Sequence, residues 1–278
     1  MNGRVHRPYR DKIKSITTVI GVLDKPGLPW GAANETAAFA VHHQAEWDHL
    51  SYADAYDRLR KHHKGIWDGR AAMGTLVHAV AEAWADQGEA DVEALVAEVQ
   101  AAGRIWQHLT PEQVIVEANG FIDGLELWWI DWEPEVLAVE EVVRHNGQNA
   151  YIGTCDLRCL INGETWRIDY KTTGKTEDGK GVYPDSWRLQ LAALTYADEI
   201  VHYDGAEETD TEKNFPVSHC GIVLLRGDGR YSFYEVTAGG TEHNRFLQLC
   251  GIYDWLQSVK KDQGLVEQVP LRLLEPAQ

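Results

Sequence analysis

In the first half of the chain, hydrophobic residues recur at the three- to four-residue spacing that is typical of amphipathic helices. Residues 1–14 are polar and basic and are predicted to form an extended arm. Helices are predicted within residues 15–30, ending at Pro26–Gly27, and over residues 31–63, 72–87, 91–103 and 111–131. The pattern therefore indicates a helical N-terminal half.

Near residue 135 the spacing changes to the alternation of β-strands. Strands are predicted over residues 136–143, 151–161, 164–171, 220–226 and 230–236. Hairpin turns are predicted at Asn146-Gly147, Asn162-Gly163 and Gly227-Asp228-Gly229. Two more helices are predicted at about residues 185–200 and 241–260. This order predicts an α+β fold in which helices flank a mixed central sheet.

The turn at Asn162-Gly163 sets a register for the strands on either side of it. If the turn has two residues, Asp156 lies directly opposite Asp169. Strand alternation then puts Lys171 on the same face as Asp169. The other face carries residues expected in a hydrophobic core, namely Cys155, Leu157, Cys159, Trp166, Ile168 and Tyr170.

The same register pairs Arg158 with Arg167, so the polar face has two like-charged pairs. Like charges directly opposite each other are unfavourable, and groups of opposite charge are expected to offset them. A divalent metal between Asp156 and Asp169, and a phosphate near the two arginines, would do so. The alternative is a solvated polar face that binds nothing.

This arrangement suits phosphodiester hydrolysis. Two carboxylates hold Mg²⁺ or Mn²⁺ through oxygen ligands, and such a metal lowers the pKa of bound water. Lys171 would orient that water or stabilise an anionic transition state.

Composition and motifs limit the other function classes. The net charge of −17 argues against a general affinity for nucleic acid, although residues 1–75 hold 11 Lys+Arg against 8 Asp+Glu. The Gly-Lys-Thr at 174–176 is not a phosphate-binding loop, because the glycine required at position 169 is an aspartate. No signal peptide or membrane span is predicted. The four cysteines form no C-x-x-C pair and are expected to be buried thiols.

Two segments, G-T-C-D at 153–156 and I-D-Y-K-T at 168–172, resemble the PD-(D/E)XK nuclease superfamily. The resemblance is closest to its RecB-like and Cas4-like exonuclease branch, which includes phage-encoded members. Other motifs of this branch are matched by Gly74, His78 and Glu82 in G-x-x-x-H-x-x-x-E, by Glu140 or Glu141 on the preceding strand, and by Gln190 on the following helix.

The resemblance implies a restriction-endonuclease-like core and a metal-dependent DNA nuclease. Many Cas4-like members also hold an iron–sulfur cluster with one cysteine before the helical motif and three after the lysine strand. This chain departs from that pattern, with no cysteine before Cys155 and only Cys220 and Cys250 after Lys171, so no cluster is expected. The implied roles are metal ligation by His78, Asp156 and Asp169, and catalysis by Asp156, Asp169, Lys171, Glu140 and Gln190. Arg158 and Arg167 are predicted to contact DNA phosphates.

Two assignments stay open. Glu140 and Glu141 point to opposite faces; a two-residue turn at Asn146-Gly147 favours Glu141, whereas the family pattern favours Glu140, which we choose. The branch has a tyrosine four residues after the glutamine, but this chain has Leu194 there. Tyr196 lies on a different face of the helix, so its role is open.

We divide the sequence into an N-terminal helical region with a basic arm, residues 1–70, and a nuclease-like core with the His-bearing helix, residues 71–278. The predicted function is a Mg²⁺- or Mn²⁺-dependent DNA exonuclease in recombination, repair or processing. The alternatives are an endonuclease of the same fold and a catalytically inactive DNA-binding module. The expected partners are DNA, as duplex ends or single strands, and a recombination or replication protein. The expected location is the cytoplasm of a bacterium or a phage-infected host cell, away from membranes.

Overall fold

The computed structural model describes residues 13–23, 27–104, 106, 109–175, 177, 180–205, 207–262 and 264. Its α-helices, within that range, are α1 (Ile16–Ile20), α2 (Gly27–His42), α3 (Tyr52–Gln87), α4 (Val92–Ala101), α5 (Pro111–Trp132), α6 (Pro184–Thr195) and α7 (Gly240–Lys261). The strands are β1 (Glu135–His145), β2 (Tyr151–Ile161), β3 (Glu164–Thr173), β4 (Glu199–Asp204), β5 (Glu207–Lys213), β6 (His219–Arg226) and β7 (Tyr231–Glu235). The predicted α+β fold with a helical first half is confirmed.

The seven strands form one mixed sheet in the order β5-β4-β1-β2-β3-β6-β7. Neighbouring strands are antiparallel except β3 and β6, which are parallel. Helices α3, α4 and α5 cover one face, and α1, α6 and α7 cover the other. Covering both faces explains why the apolar run of β6, residues 220–225, is buried throughout.

The predicted register of the β2–β3 hairpin is confirmed. Leu157 pairs with Ile168, and Arg158 pairs with Arg167. Asn162 and Gly163 have φ values of 53° and 81°, the left-handed conformations that a two-residue type I′ turn requires. The described pairing stops at Leu157–Ile168, however, so Asp156 and Asp169 lie just beyond the paired region and do not form the predicted facing pair.

Strands β1 and β2 each exchange faces at one residue, which strict alternation did not predict. Val139 and Leu157 pack on the side of α3, whereas Cys155 packs with α6 and α7. Glu140 adopts a left-handed backbone with φ of 49°. Because Val139–Leu157 and Glu141–Cys155 remain paired on either side, both strands change faces together. The prediction that Cys155 shares a face with Leu157 is therefore wrong, although Cys155 is buried as expected.

Several predicted boundaries in the N-terminal half are also wrong. Helix α1 ends at Ile20, and Gly27 begins α2. Residues 43–51 separate α2 from α3. The predicted basic arm lies almost entirely outside the described residues.

In the second half, the β1–β2 connection spans residues 146–150 and is not a two-residue turn. The helix predicted to reach residue 200 ends at Thr195, and β4 follows it. Strands β4 and β5 were not predicted. Strand β5 reads EETDTEK and lies at the sheet edge, where charged residues are typical and no apolar face marks a strand.

Helix α3 carries His78 and is the longest helix of the described chain. Ser51 accepts a hydrogen bond from the Asp54 N–H at its start, and Gly88 ends it with φ of 78°. The helix runs without interruption past residue 70, and the division made there remains a sequence-based prediction. Within the described residues, no helix combines the length and apolar character needed to cross a membrane.

Helix α5 packs unusually close to the β6–β7 turn. A Cβ atom on Gly120 would lie 2.1 Å from the Gly227 carbonyl oxygen, and one on Gly124 would lie 2.8 Å from the Arg230 carbonyl oxygen. Glycine at these positions therefore sets the distance between α5 and the sheet.

We predict that Gly120→Ala destabilises the protein by about 1–3 kcal/mol, because the added methyl group forces backbone atoms apart. Urea unfolding followed by circular dichroism would measure this. Gly251→Ala is the matched control, since no atom lies within 4 Å of a Cβ there. That control should gain about 0.5–1 kcal/mol, as alanine does over glycine in a helix. Equal stability of Gly120→Ala and wild type would contradict the close packing.

Candidate catalytic site

A cavity of about 550 Å³ lies where α3, β2, β3 and α6 meet. Its lining includes five of the residues selected from the sequence: His78, Asp156, Asp169, Lys171 and Gln190. The other lining residues are Ser15, Ile16, Thr17, Thr75, Ala102, Gly103, Arg104, Ile152, Gly153, Thr154 and Leu194. Groups from helices on both faces of the sheet therefore reach one space.

Asp156 connects β2 to α3 and to β3. Its Oδ2 lies 3.1 Å from His78 Nδ1 and accepts a hydrogen bond of 2.8 Å from the Tyr170 N–H. The side chain of Asp156 is only 6% exposed. This carboxylate occupies the position where β2 changes faces, and the main-chain hydrogen bond fixes its orientation.

Asp169 connects β3 to α6. Gln190 Nε2 donates a hydrogen bond of 2.5 Å to Asp169 Oδ1, and Lys171 Nζ forms an ion pair with Asp169 Oδ2. Lys171 is about one quarter exposed, whereas Asp169 is buried. Because Asp169 is buried, its carboxylate holds the Lys171 ammonium group in a defined position at the wall of the cavity.

Two other titratable side chains near the carboxylates are neutral. Burial raises the pKa of the Cys155 thiol, and burial likewise raises the pKa of the Tyr170 phenol. Neither group can supply an anionic nucleophile at neutral pH. The chemistry of the cavity therefore depends on its carboxylates, lysine, histidine and amide.

The donors of the cavity fit Mg²⁺ or Mn²⁺ in kind. Two buried carboxylates supply the oxygen ligands that these ions prefer, and the space admits the water ligands that they retain. Among the described residues, no group of three or more His, Cys, Asp or Glu side chains is close enough to enclose an ion. Asp156 and Asp169 are the carboxylates of the cavity lining available to such an ion, and His78 lies beside Asp156.

Neither candidate glutamate lines this cavity among the described residues. Glu140 is half-buried at the point where β1 changes faces. Glu141 is buried, and its carboxylate bonds Arg158 Nε at 2.9 Å and Arg167 Nη2 at 3.2 Å. Glu141 thus supplies one negative charge that is shared by the two arginines.

The structure does not support the prediction that Arg158 and Arg167 contact DNA. Arg167 is fully buried, so its guanidinium has no surface to offer a phosphate. Arg158 is largely buried, with its guanidinium 4.9 Å from the centre of the Phe215 ring. Neither arginine lines the cavity among the described residues, because Arg167 lies against the end of α6 and Arg158 lies against Glu141 and Phe215.

Tyr196, whose role the sequence left open, lies outside the cavity. Its ring stacks on His243 with 5.5 Å between centroids. His243 in turn bonds the buried Tyr151 hydroxyl at 2.9 Å. Tyr196 therefore belongs to the packing between α6 and α7.

Sequence reasoning missed two residues. Arg104 lines the cavity from the turn after α4, and Asn214 binds the end of α6 from the segment after β5. An isolated arginine or asparagine in a polar segment carries no pattern that selects it. Only the tertiary structure brings Arg104 to the cavity and Asn214 to the end of α6.

No family model matches the sequence, and no curated protein matches it. Among solved structures, the crystal structure of SSO0001 matches 66% of this chain and 73% of that chain, at 16% sequence identity and a TM-score of 0.34. A likeness at that TM-score carries no argument about fold or function.

We predict that Arg167→Met destabilises the protein by about 3–5 kcal/mol, because it removes a partner of the buried Glu141 carboxylate. Urea unfolding would measure the loss. The double variant Arg167→Met/Glu141→Leu should recover part of it, since an apolar pair leaves fewer charges buried. A double variant less stable than Arg167→Met would contradict this account.

Proposed function

We propose that this protein is a Mg²⁺- or Mn²⁺-dependent deoxyribonuclease, and specifically an exonuclease, that hydrolyses phosphodiester bonds. The observation that carries the proposal is the convergence of Asp156, Asp169 and Lys171 on one cavity with His78 and Gln190. These are the residues through which the sequence resembles the RecB-like and Cas4-like branch of the PD-(D/E)XK nucleases. The resemblance also supports the choice of exonuclease and a setting in DNA recombination, repair or processing.

In this proposal, the sequence-selected residues that line the cavity have different roles. Asp156 and Asp169 would hold the ion, with His78 as a further ligand; Glu140, which the sequence selected, is not among the described lining residues of the cavity and receives no role here. A bound Mg²⁺ or Mn²⁺ supplies Lewis-acid polarisation of the phosphate and acidifies water. Lys171 places a positive charge beside Asp169, where it stabilises negative charge that develops on the phosphate oxygens.

Gln190 has a different task. Its amide donates to Asp169 Oδ1, so it limits rotation of that carboxylate. Because Lys171 holds the other oxygen, the carboxylate is oriented from two sides. A preorganised carboxylate needs less reorganisation during the reaction.

Digestion of DNA tests the proposal. End-labelled linear duplex, single-stranded DNA and a covalently closed circle would be incubated with Mg²⁺ or Mn²⁺. We expect the wild type to digest linear DNA, to spare the circle and to lose activity in EDTA. Lys171→Ala should lower the rate at least about 100-fold, because it removes the charge next to the reacting phosphate. Lys260→Ala, an exposed lysine on α7, is the matched control and should keep full activity.

Other outcomes of this assay would change the proposal. Cutting of the closed circle would identify an endonuclease of the same chemistry. Metal-dependent DNA binding without digestion of any substrate would indicate a binding module. Retained activity in Lys171→Ala would show that the chemistry lies elsewhere.

Arg104 is the arginine that lines the cavity, and we predict that it contacts a DNA phosphate. Arg104→Ala should reduce the slope of log K against log salt by about 1, as expected for the loss of one phosphate contact. Fluorescence anisotropy in Ca²⁺ over a range of salt concentrations would measure this slope. Arg245→Ala on α7 should leave the slope unchanged. Equal slopes for Arg104→Ala and wild type would exclude the contact.

A further inference from the structure

The C-terminal end of α6 is held by side chains from three other segments. The last carbonyl groups of a helix have no partner within the helix and need one elsewhere. The Tyr151 hydroxyl donates to the Ala193 carbonyl oxygen at 2.8 Å. Arg167 Nη1 donates to the Leu194 carbonyl oxygen at 2.5 Å. These contacts replace the glycine that commonly ends a helix, because the C-cap residue here is Tyr196.

Asn214 completes this arrangement. Its Nδ2 group lies 3.1 Å from the Leu194 carbonyl oxygen, 3.2 Å from that of Thr195 and 3.0 Å from that of Ala197. Its Oδ1 atom accepts a hydrogen bond from Arg167 Nη2. One buried amide therefore ties the end of α6 to the guanidinium of β3.

Arg167 is itself fixed in place. It is fully buried, and it bonds Glu141 on β1 as well as Asn214 and the end of α6. A buried guanidinium is stable only when its hydrogen bonds and its charge are matched, so its position has little freedom. Helix α6 is thus attached to a rigid point on β3.

Strand β3 and helix α6 also contact each other at the cavity, through Asp169 and Gln190. Asp169 follows Arg167 by two residues on β3, which is about 6.6 Å along a strand. Gln190 precedes Leu194 by four residues on α6, which is about 6 Å along a helix and returns to the same helix face. The Arg167–Leu194 and Asp169–Gln190 contacts therefore have matching spacings on two antiparallel elements.

We propose that Arg167 and Asn214 are positioning residues, which hold the end of α6 by its carbonyl groups and thereby keep the Gln190 amide on the Asp169 carboxylate. A shift of α6 along β3 would break both attachments at once. The effect on catalysis rests on the proposed nuclease function, whereas the effect on Gln190 does not.

Asn214→Ala is the better probe of the two. It removes the Nδ2 group, and with it the contacts to three carbonyl oxygens at the end of α6, but leaves Arg167 bonded to Glu141 and to the Leu194 carbonyl oxygen. Arg167 variants would leave a buried carboxylate short of a partner and could fail to fold. Asn119→Ala, an exposed asparagine on α5, is the matched control.

The effect of Asn214 on the position of α6 and Gln190 is measured without an activity assay. Hydrogen exchange of the amides in residues 188–195 should be at least about fivefold faster in Asn214→Ala, while exchange in α4 stays unchanged. The side-chain amide resonance of Gln190, assigned by its loss in Gln190→Ala, should shift in Asn214→Ala. In Asn119→Ala, the exchange rates of residues 188–195 and the Gln190 side-chain resonance should both match those of the wild type. An unchanged Gln190 resonance would overturn the proposal.

The catalytic consequence is measured by a double-mutant cycle. Asn214→Ala should lower kcat for linear DNA at least about fivefold with KM within about twofold, because it acts on Asp169 and not on substrate binding. In the Gln190→Ala background, the same change should lower kcat by no more than about twofold. Fully multiplicative losses would show that Asn214 acts independently of Gln190, and would overturn the proposal.

The two measurements separate the possible failures. An inactive wild type with a shifted Gln190 resonance in Asn214→Ala would reject the proposed nuclease function and support the positioning role. An active wild type with an unchanged resonance and multiplicative losses would support the nuclease and reject the positioning role.

Discussion

The buried guanidinium of Arg167 is the interaction on which the arrangement of the site depends. It joins β1 through Glu141, the end of α6 through Leu194, and the segment after β5 through Asn214. Taking such a group out of water costs several kcal/mol unless charge and hydrogen bonds offset the cost. The chain offsets most of that cost with Glu141, Leu194 and Asn214, which lie in three separate segments. The same contacts that make the burial tolerable also fix α6 against β3, beneath the cavity.

The change of faces at Glu140 and Asp156 is the second constraint. Because Leu157 packs on the side of α3, regular alternation would turn its neighbour Asp156 away from that helix. Because β1 and β2 change faces together, Asp156 reaches His78 on α3, while Asp169 remains in contact with Gln190 on α6. The left-handed backbone of Glu140 costs roughly 1–2 kcal/mol, and the pairing on either side sustains it. The cavity can therefore collect groups from both layers.

Some charged residues pair with each other inside the protein, whereas others line the cavity. Glu141 pairs with both Arg158 and Arg167 inside the protein, and neither guanidinium lines the cavity among the described residues. Lys171 and Arg104 line the cavity, where, on the proposed function, a phosphate would contact them. In a chain with a net charge of −17, this local placement of cations matters more for DNA than the total charge does. On the proposed function, the acidic remainder of the surface would keep DNA away from other regions.

The sequence by itself determined the α+β order and the register of the β2–β3 hairpin, because both follow from local patterns. The Asn162-Gly163 turn has only one favourable geometry, and it aligns Arg158 with Arg167 whatever surrounds them. Of the residues selected from the sequence, His78, Asp156, Asp169, Lys171 and Gln190 line one cavity, whereas Glu140 is not among its described lining residues. Tertiary structure alone decided what covers each face. Strand alternation correctly placed Arg167 on the same face as Arg158. It could not predict that α6 packs over this face, buries Arg167 and leaves it without access to a phosphate. The face change at Cys155, the charged edge strand β5 and the role of Asn214 depend on partners distant in the chain, and local residue patterns contain no information about such partners.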